Sequence, residues 1–407
     1  MTQHCIIVGA SHAAAQACIS LRQGGWDGDI TVIGDEAHLP YHRPPLSKDF
    51  LSGGKSLDEI LIRPEAAYAT AKVTMKLGTR VENIDRAAKT VTTDKDETLS
   101  YDKLILATGA RIRRLPVPGE DLDNVFYLRD TDDVLAIKAE VAAGKSAVII
   151  GGGYIGLETA ASLKKQGMDI TVLEAMPRIL QRVTAPELST FYKRVHSEEG
   201  VKILEGVMAS AIEKTDDGLC VKTKCEQSFD ADIVIIGIGV IPNTELAQAA
   251  ELEVGNGIVV NEFCQTNDDD IYAAGDVTWH LNPIYDRHIR LESVPNATEQ
   301  AKTIAAHING APKPYNSLPW FWSDQFDLKL QIAGLSEGYD DIVLRGDITA
   351  GRSFAAFYFK GDKLLAVDAV NSPREFMMTK MTLTKGATLD KAIIADPEGN
   401  LKTALIS

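Results

Sequence analysis

The segment that most constrains the fold of this chain runs from Ala147 to Met176 and reads AVIIGGGYIGLETAASLKKQGMDITVLEAM. Four apolar residues lead into glycines spaced as G-x-G-x-x-G, and an amphipathic run ending at Lys165 follows them. A second apolar strand then ends on Glu174, roughly 20 residues beyond the glycines. A glycine-rich turn alone is weak evidence, but this order of strand, turn, helix, strand and carboxylate predicts a dinucleotide-binding unit.

Each glycine of this motif has its own physical purpose. Gly151 makes the tight turn, Gly153 lets backbone N–H groups approach a pyrophosphate, and Gly156 lets the helix pack closely on its strand. Glu174 accepts hydrogen bonds from a ribose 2′-hydroxyl and repels a 2′-phosphate, which favours NADH over NADPH. Arg178 is of a residue type that accepts a 2′-phosphate, but Glu174 occupies the ribose position itself. The candidate contacts to NADH are Gly151, Gly153, Ile155, Gly156 and Glu174.

The composition restricts the class of protein. A length of 407 residues is enough for two or three domains. The 57 acidic residues outnumber the 42 basic ones, and this net charge of -15 argues against a nucleic-acid-binding protein. The apolar runs fall short of the ~18 residues of a membrane span, and the first strand begins so early that a signal peptide is not expected. Five scattered cysteines fit reduced thiols in a cytoplasmic protein: Cys5, Cys18, Cys220, Cys225 and Cys264.

The beginning of the chain repeats the central pattern in the segment CIIVGASHAAAQACISLRQGGWDGDITVIGD. Gly9 keeps the first glycine of the turn, whereas Ser11 and Ala14 replace the second and third with other small residues. Acid again follows the second strand, with Asp35 as the candidate for a ribose and Glu36 as the alternative. Two dinucleotide folds in one chain imply two dinucleotides, and their meeting suggests hydride transfer from a nicotinamide to a flavin.

The remaining strands predict how the domains are arranged. Tyr101 to Gly109 is a buried strand that ends in small residues, and Thr266 to Asp276 has the same shape. Residues 229–246 mirror this strand inside the second dinucleotide unit, so we infer that this unit is inserted into the first. Alternating residues at 73–85 and 90–99 predict short antiparallel strands.

These patterns predict an α/β fold with two Rossmann-like domains and a C-terminal α+β domain. The first Rossmann-like domain is discontinuous and comprises 1–110 and 238–318, and the second comprises 111–237. The C-terminal domain, 319–407, begins where the chain reads WFWSDQFDLKLQIAGL and is of ordinary domain size.

Seven motifs together resemble those of one enzyme family: GASHAAAQA, PPLSKDFL, ATGARIRRLP, GGGYIGLE, AAGDV, RLESVPNATEQA and PWFWSDQ. The chain is similar, essentially from end to end, to the two-dinucleotide flavoprotein reductases. Within them it resembles the NADH-dependent ferredoxin reductases of the putidaredoxin reductase type, and PPLSK and PWFWSDQ are the specific motifs. The resemblance implies a glutathione-reductase-like fold, FAD in the first domain and NADH in the inserted one. It also implies single-electron transfer to a [2Fe–2S] ferredoxin that serves a cytochrome P450 or a Rieske-type oxygenase.

The resemblance assigns FAD contacts residue by residue: Gly9 and Ala13 to the pyrophosphate, Asp35 or Glu36 to the adenosine ribose, Val81 to the adenine, Asp276 to the ribityl chain, Val294 and Trp320 to the flavin ring, and Arg43, Lys48, Thr108, Gly109, Arg129 and Gly275 to the rest of the site. Val294 begins a predicted helix, whose N-terminal partial positive charge favours an anionic reduced flavin. Asp276 is also a favoured helix cap and Trp320 also suits a core, so both alternatives stay open.

The same resemblance makes Lys48 and Glu158 the catalytic candidates, as a buried pair beside flavin N5. An ammonium there stabilises negative charge that develops as hydride arrives, and Glu158 keeps the lysine oriented and partly neutralised. The cofactors carry the chemistry, so no side chain is required as acid, base or nucleophile.

Alternative functions share much of this framework. A rubredoxin reductase differs in its docking surface, and a disulfide reductase or NADH oxidase needs cysteine beside the flavin. Cys220 and Cys225 have a C-x4-C spacing, but they lie in a predicted alternating strand and point to opposite faces. A DNA-binding flavoprotein of the same fold is disfavoured by the acidic charge.

Docking of the ferredoxin is expected to be transient and electrostatic, on a local basic patch. Two clusters are candidates, Arg111, Arg113 and Arg114 on one side and Arg287, His288 and Arg290 on the other. The alternative for both clusters is an ordinary solvated face. No metal site is expected, and the oligomeric state is left open.

Overall fold

The computed structural model describes residues 3–406, which form two compact units. The first unit contains the chain up to His42 together with Leu57–Arg111 and Ile241–Pro319. The second unit contains Arg43–Ser56, Ile112–Val240 and the chain from Trp320 onward. The three predicted domain boundaries stay a prediction, because this division by contacts places the predicted NAD-binding and C-terminal domains in one unit.

A parallel sheet forms the centre of the first unit. Its strands lie in the spatial order Ile271–Ala273, Lys103–Leu106, His4–Val8, Asp29–Ile33 and Val73–Lys76. The order 3-2-1-4 with a further strand at the edge is that of a Rossmann-like fold, as predicted. The prediction of antiparallel strands was wrong for Val73–Lys76, which pairs parallel with Asp29–Ile33. This strand lies at the edge of the parallel sheet with one side exposed, so its residues alternate as they do in an antiparallel strand.

The buried central strand shows why its sequence is apolar throughout. Cys5 and Ile7 pack on the face that carries the helix His12–Gln23, whereas Ile6 and Val8 pack into the core on the opposite face. A parallel strand covered on both faces cannot alternate with polar residues. The other elements of this unit are the helices Leu57–Ile60, Glu65–Thr70, Glu245–Ala249 and Val294–Ile308 and the strands Val81–Asp85, Thr90–Thr93, Thr98–Ser100, Ile258–Val260, Thr278–Asn282 and Arg287–Ile289.

The second unit contains another parallel sheet of the same type. Its strands lie in the order Lys202–Glu205, Asp169–Glu174, Ser146–Ile150, Ile233–Ile236 and Val125–Tyr127. Around it are the 3-10 helix Pro44–Ser47, the helices Thr131–Glu140, Tyr154–Lys165 and Pro186–Glu198, and an antiparallel sheet of Ala209–Lys214, Leu219–Thr223 and Ser228–Ala231. The short strands Ala110–Ile112 and Val240–Pro242 lie where the chain passes from one unit to the other.

The prediction for Cys225 was wrong. The strand ends at Thr223, so Cys225 lies in the following turn and is exposed, whereas Cys220 is buried within the strand. A hairpin turn interrupts the alternation that the residue types suggested, because Lys224 to Gln227 reverse the chain. Both cysteines are free thiols.

An antiparallel sheet forms the C-terminal part of the second unit, with strands in the order Trp320–Gln325, Leu328–Gly334, Lys363–Val370, Phe354–Lys360 and Asp341–Gly346. The helix Pro373–Thr384 packs on it, and Thr388–Leu389, Lys391–Ala395, Leu401–Thr403 and Leu405–Ile406 follow. This is the predicted α+β arrangement. Together the sheets confirm the predicted fold of two Rossmann-like parts and an α+β part.

A buried carboxyl group lies in this last sheet. Asp368 is 1% exposed, and its Oδ2 accepts hydrogen bonds from the hydroxyls of Thr184 (2.6 Å) and Tyr358 (2.7 Å). Burial raises the pKa of Asp368 from 3.8 to about 6, because ionisation is unfavourable away from water.

We predict that Asp368→Asn gains stability relative to the wild-type protein as pH rises from 4 to 7. The folded wild-type protein holds its carboxyl proton up to a higher pH than the unfolded chain, so its stability falls as pH rises through this window. The shift corresponds to about 3 kcal/mol, and asparagine does not titrate but keeps an oxygen acceptor. Urea denaturation of both proteins across this range measures the difference, and a difference that does not change with pH would contradict the assignment.

Candidate functional site

The glycine turn of the second unit has the geometry that a pyrophosphate requires. Gly151 follows the strand Ser146–Ile150 with a φ of +119°, and a Cβ there would lie 2.3 Å from the carbonyl oxygen of Gly237. Gly153 caps the helix Tyr154–Lys165, and a Cβ there would meet none of the described heavy atoms within 4 Å. A side chain at Gly153 would project into open space beside the N-terminus of this helix, so the glycine turn fits a dinucleotide.

Glu174 is held at this turn by two backbone hydrogen bonds. Its Oε2 accepts from the N–H of Gly152, and its Oε1 accepts from the N–H of Met176, both at 2.7 Å. Arg178 donates instead to the hydroxyl of Ser189 (2.6 Å) and to the carbonyl oxygen of Gln181. The acid is thus fixed beside the glycines while the arginine is engaged elsewhere, which supports the preference for NADH.

The other two candidates of this turn differ in exposure. Gly156 lies inside the helix, where a Cβ would be 2.1 Å from the carbonyl oxygen of Gly151, so close packing explains this glycine. Ile155 is 44% exposed in the first helical turn and presents an apolar surface beside the turn. Its contact with a nucleotide stays a prediction.

The first unit brings the candidate FAD residues of its own turn together. Gly9 has a φ of +107°, and a Cβ there would lie 2.2 Å from the carbonyl oxygen of Ala107. Ala13 lies in the first turn of the helix His12–Gln23, and a Cβ on Gly275 would be 3.7 Å from the Cβ of Ala13. This arrangement of small residues around a helix N-terminus fits a second pyrophosphate.

The acidic candidates of the first unit follow the strand Asp29–Ile33. Asp35 is largely exposed and pairs with Arg80 at 3.3 Å, and Glu36 accepts a hydrogen bond from the hydroxyl of Tyr41. Val81 begins the next antiparallel strand and is buried. The choice between the two acids for a ribose stays open.

Asn243 is a residue that the sequence interpretation missed. The hydroxyl of Thr108 donates to the carbonyl oxygen of Asn243, and the Asn243 side-chain amide donates to the carbonyl oxygen of Thr108, both at 2.8 Å. The backbone of Asn243 also donates to Gly109, whose φ is +61°. Asn243 thereby holds the small-residue end of the strand Lys103–Leu106, across a separation of 135 residues that no local pattern reveals.

A buried amide network supports the Gly275 turn. The side-chain oxygen of Gln300 accepts from the N–H of Gly275 at 2.8 Å, and Asn296 donates to the Gly275 carbonyl at 3.4 Å. Tyr315 donates in turn to Asn296 at 2.8 Å. These residues fix the backbone from which Asp276 projects, and they too were missed, although Asn296 and Gln300 lie in the motif ESVPNATEQ. Val294 is the first residue of their helix, as predicted for a flavin contact.

Lys48 and Glu158 form an ion pair in the second unit. The Lys48 ammonium lies 2.6 Å from Glu158 Oε2, and the same oxygen accepts from the hydroxyl of Ser47 at 2.5 Å. Glu158 is only 5% exposed, and Lys48 also donates to the carbonyl oxygen of Pro44. The turn Pro44–Ser47 and the helix Tyr154–Lys165 thus bring the two catalytic candidates together, while their role toward a flavin stays a prediction.

Three further FAD candidates, Arg43, Arg129 and Trp320, lie in the second unit. Arg43 donates to the carbonyl oxygen of Arg129 at 2.8 Å. Trp320 begins the strand Trp320–Gln325 and stacks on Trp322 with ring centroids 5.5 Å apart. The Lys380 ammonium lies 4.4 Å from the Trp320 ring centre, a cation–π geometry.

The basic clusters are partly neutralised by neighbouring acids. Arg111 pairs with Glu245 (2.7 Å), Arg114 with Glu120 (3.0 Å) and Arg290 with Glu292 (2.6 Å). Pairing of this kind favours a solvated face, and docking at either cluster stays a prediction. In the described part of the chain, no helix is long and apolar enough to cross a membrane.

Comparison with known proteins decides the family. The family model described as pyridine nucleotide-disulphide oxidoreductase matches residues 3–301, and that described as reductase C-terminal matches residues 320–405. The chain belongs to the pyridine nucleotide-disulphide oxidoreductase family. It is therefore an oxidoreductase.

Individual relatives agree with this family. Putidaredoxin reductase of Pseudomonas putida is 43% identical over 98% of this chain and 95% of its own length. Rhodocoxin reductase of Rhodococcus erythropolis is 41% identical over 98% of this chain and 94% of its own. The structure of a covalent putidaredoxin reductase–putidaredoxin complex matches with a TM-score of 0.96 and 42% identity, covering 99% of this chain and 98% of that one. The predicted resemblance to the ferredoxin reductases is confirmed.

We predict that Gly153→Ala weakens NADH binding with little loss of stability, whereas Gly151→Ala destabilises the fold. Gly153 has an ordinary φ and open surroundings, so its substitution leaves the free energy of unfolding within about 1 kcal/mol of the wild-type value. Its methyl group nevertheless occupies the approach to the turn, so KM for NADH rises about tenfold or more. Gly151→Ala combines a positive φ with a backbone clash and costs on the order of 2 kcal/mol. Urea denaturation and NADH kinetics separate the two, and an unchanged KM in Gly153→Ala would exclude this turn as the NADH site.

Proposed function

We propose that this protein is an NADH:ferredoxin oxidoreductase with FAD and NADH as its cofactors. When bound, FAD would supply the redox chemistry, which is hydride acceptance from NADH and single-electron transfer to a [2Fe–2S] ferredoxin that would serve a cytochrome P450 or a Rieske-type oxygenase. The observation that carries the proposal is the pair of glycine turns in one chain, each of which leads from a parallel strand into the N-terminus of a helix. The close similarity to putidaredoxin reductase supports the ferredoxin as acceptor.

In this proposal, the side chains of the protein bind and orient the cofactors, and the cofactors supply the redox chemistry. In the proposal, the Lys48 ammonium stabilises negative charge on the reduced flavin, as an oriented cation does in a water-poor site. Glu158 holds that ammonium, because a buried cation without a partner would be strongly unfavourable.

The thiols of the protein do not favour a disulfide reductase. Cys220 is buried in a strand and Cys225 lies in the turn beyond it. Burial raises the pKa of Cys5 and of Cys18 to about 12, so both stay protonated and unreactive at neutral pH. Free thiols also support the proposed cytoplasmic location.

An acceptor comparison tests this function. The purified FAD-containing protein is assayed anaerobically with NADH or NADPH against a [2Fe–2S] ferredoxin, a rubredoxin and glutathione disulfide. We expect the largest kcat/KM with NADH and the ferredoxin, because the Glu174 carboxylate disfavours a 2′-phosphate. A preference for rubredoxin would replace the proposed acceptor, and turnover with the disulfide alone would overturn the proposal.

A further inference from the structure

A line of buried hydrogen bonds in the second unit ends at Glu158. Ser323 donates its hydroxyl to Glu158 Oε1 at 2.6 Å, and the side-chain amide of Gln325 donates to Ser323 Oγ at 3.2 Å. His196 Nε2 lies 2.8 Å from Gln325 Oε1. Ser323, Gln325 and His196 are each at most 1% exposed, so water does not compete for these bonds.

The donors of this line all point toward the carboxylate. Burial lowers the pKa of His196 to about 4, so its ring is neutral at pH 7. Gln325 Oε1 only accepts, which places the single ring hydrogen on His196 Nε2. The Gln325 amide then donates to Ser323, whose one hydroxyl hydrogen goes to Glu158. Each residue therefore donates a hydrogen bond to the next one, and the last residue, Glu158, has to be an acceptor.

Ser323 bonds to the carboxylate oxygen of Glu158 that the ion pair with Lys48 does not use. The hydrogen bonds from Ser47 and Lys48 both reach Oε2, whereas the bond from Ser323 reaches Oε1. Without the Ser323 hydroxyl, the Glu158 carboxylate loses the contact that fixes its rotation. Its Oε1 is then a buried acceptor that has lost its hydrogen bond, which is unfavourable. The Lys48 ammonium follows the carboxylate, because Glu158 is its charged partner.

We propose that Ser323 is a positioning residue of the reductase: with Gln325 and His196 it fixes the orientation of Glu158, and through Glu158 that of the Lys48 ammonium. The strand Trp320–Gln325 of the C-terminal part thus controls a pair contributed by the turn Pro44–Ser47 and the helix Tyr154–Lys165. The proposal rests on the proposed function, in which Lys48 stabilises the reduced flavin.

A double-mutant cycle tests this role. Ser323→Ala is expected to lower the rate constant of flavin reduction by NADH about tenfold in anaerobic stopped flow and to make the flavin midpoint potential more negative. Ser323→Thr restores the hydroxyl and is expected to recover most of both values. In the Glu158→Gln background, Ser323→Ala is expected to lower the rate constant less than twofold and to leave the midpoint potential unchanged, because the oriented charge is already lost.

Controls separate positioning from packing. Thr382→Val removes a buried hydroxyl of the same C-terminal part, which donates to the Met378 carbonyl oxygen of its own helix, and it is expected to leave both values unchanged. Gln325→Leu removes the next donor and is expected to shift both values in the same direction as Ser323→Ala but less, which keeps the test usable if Ser323→Ala does not fold.

Equal effects of Ser323→Ala in both backgrounds, or wild-type values in a folded, FAD-loaded Ser323→Ala protein, would overturn the proposal. Neither measurement uses a ferredoxin. Failure of the proposed acceptor is therefore detected separately, by the acceptor comparison.

Discussion

The ion pair between Lys48 and Glu158 joins three separate segments of the second unit. Removing two charges from water is costly, and attraction repays the cost only if the remaining polar atoms are also bonded. Here Ser47 and Ser323 donate hydrogen bonds to the two oxygens of the Glu158 carboxylate. Glu158 thereby joins Lys48, 110 residues away in the chain, and Ser323, 165 residues away. Any variant that leaves one of these charges alone would destabilise the turn, the helix and the strand together. The same requirement keeps a cation in a fixed position, which is what stabilisation of a reduced flavin needs.

Two glycine turns give the chain its capacity for two dinucleotides. Gly9 and Gly151 each follow the central strand of their five-stranded sheet, with φ values of +107° and +119°, and a side chain at either would strike a neighbouring backbone carbonyl. Both turns open onto a helix N-terminus, where backbone N–H groups favour a pyrophosphate. The degenerate first turn keeps this geometry although only one of its three glycines remains, because alanine and serine are small enough at the other two positions.

The local order of apolar and polar residues predicted most of the helices and strands. The features that it missed depend on contacts between residues far apart in the chain. The strands around Ile6 and Val148 are apolar because both faces are covered, and their order follows from the two repeated units. The alternation at Val73–Lys76 was misread as antiparallel, since a half-exposed edge strand looks the same in either type of sheet. The supports supplied by Asn243, Gln300 and Ser323 join residues far apart in the chain, and their side chains are common polar types with no spacing to reveal them.

An anaerobic titration shows whether electrons pass from NADH through a flavin to a [2Fe–2S] ferredoxin. NADH is added to the purified protein while its visible absorbance is followed, and an oxidised ferredoxin is added afterwards. We expect about one equivalent of NADH to bleach the flavin and the flavin spectrum to return as the ferredoxin is reduced. A protein without a flavin spectrum, or a reduced flavin that only a disulfide reoxidises, would contradict it.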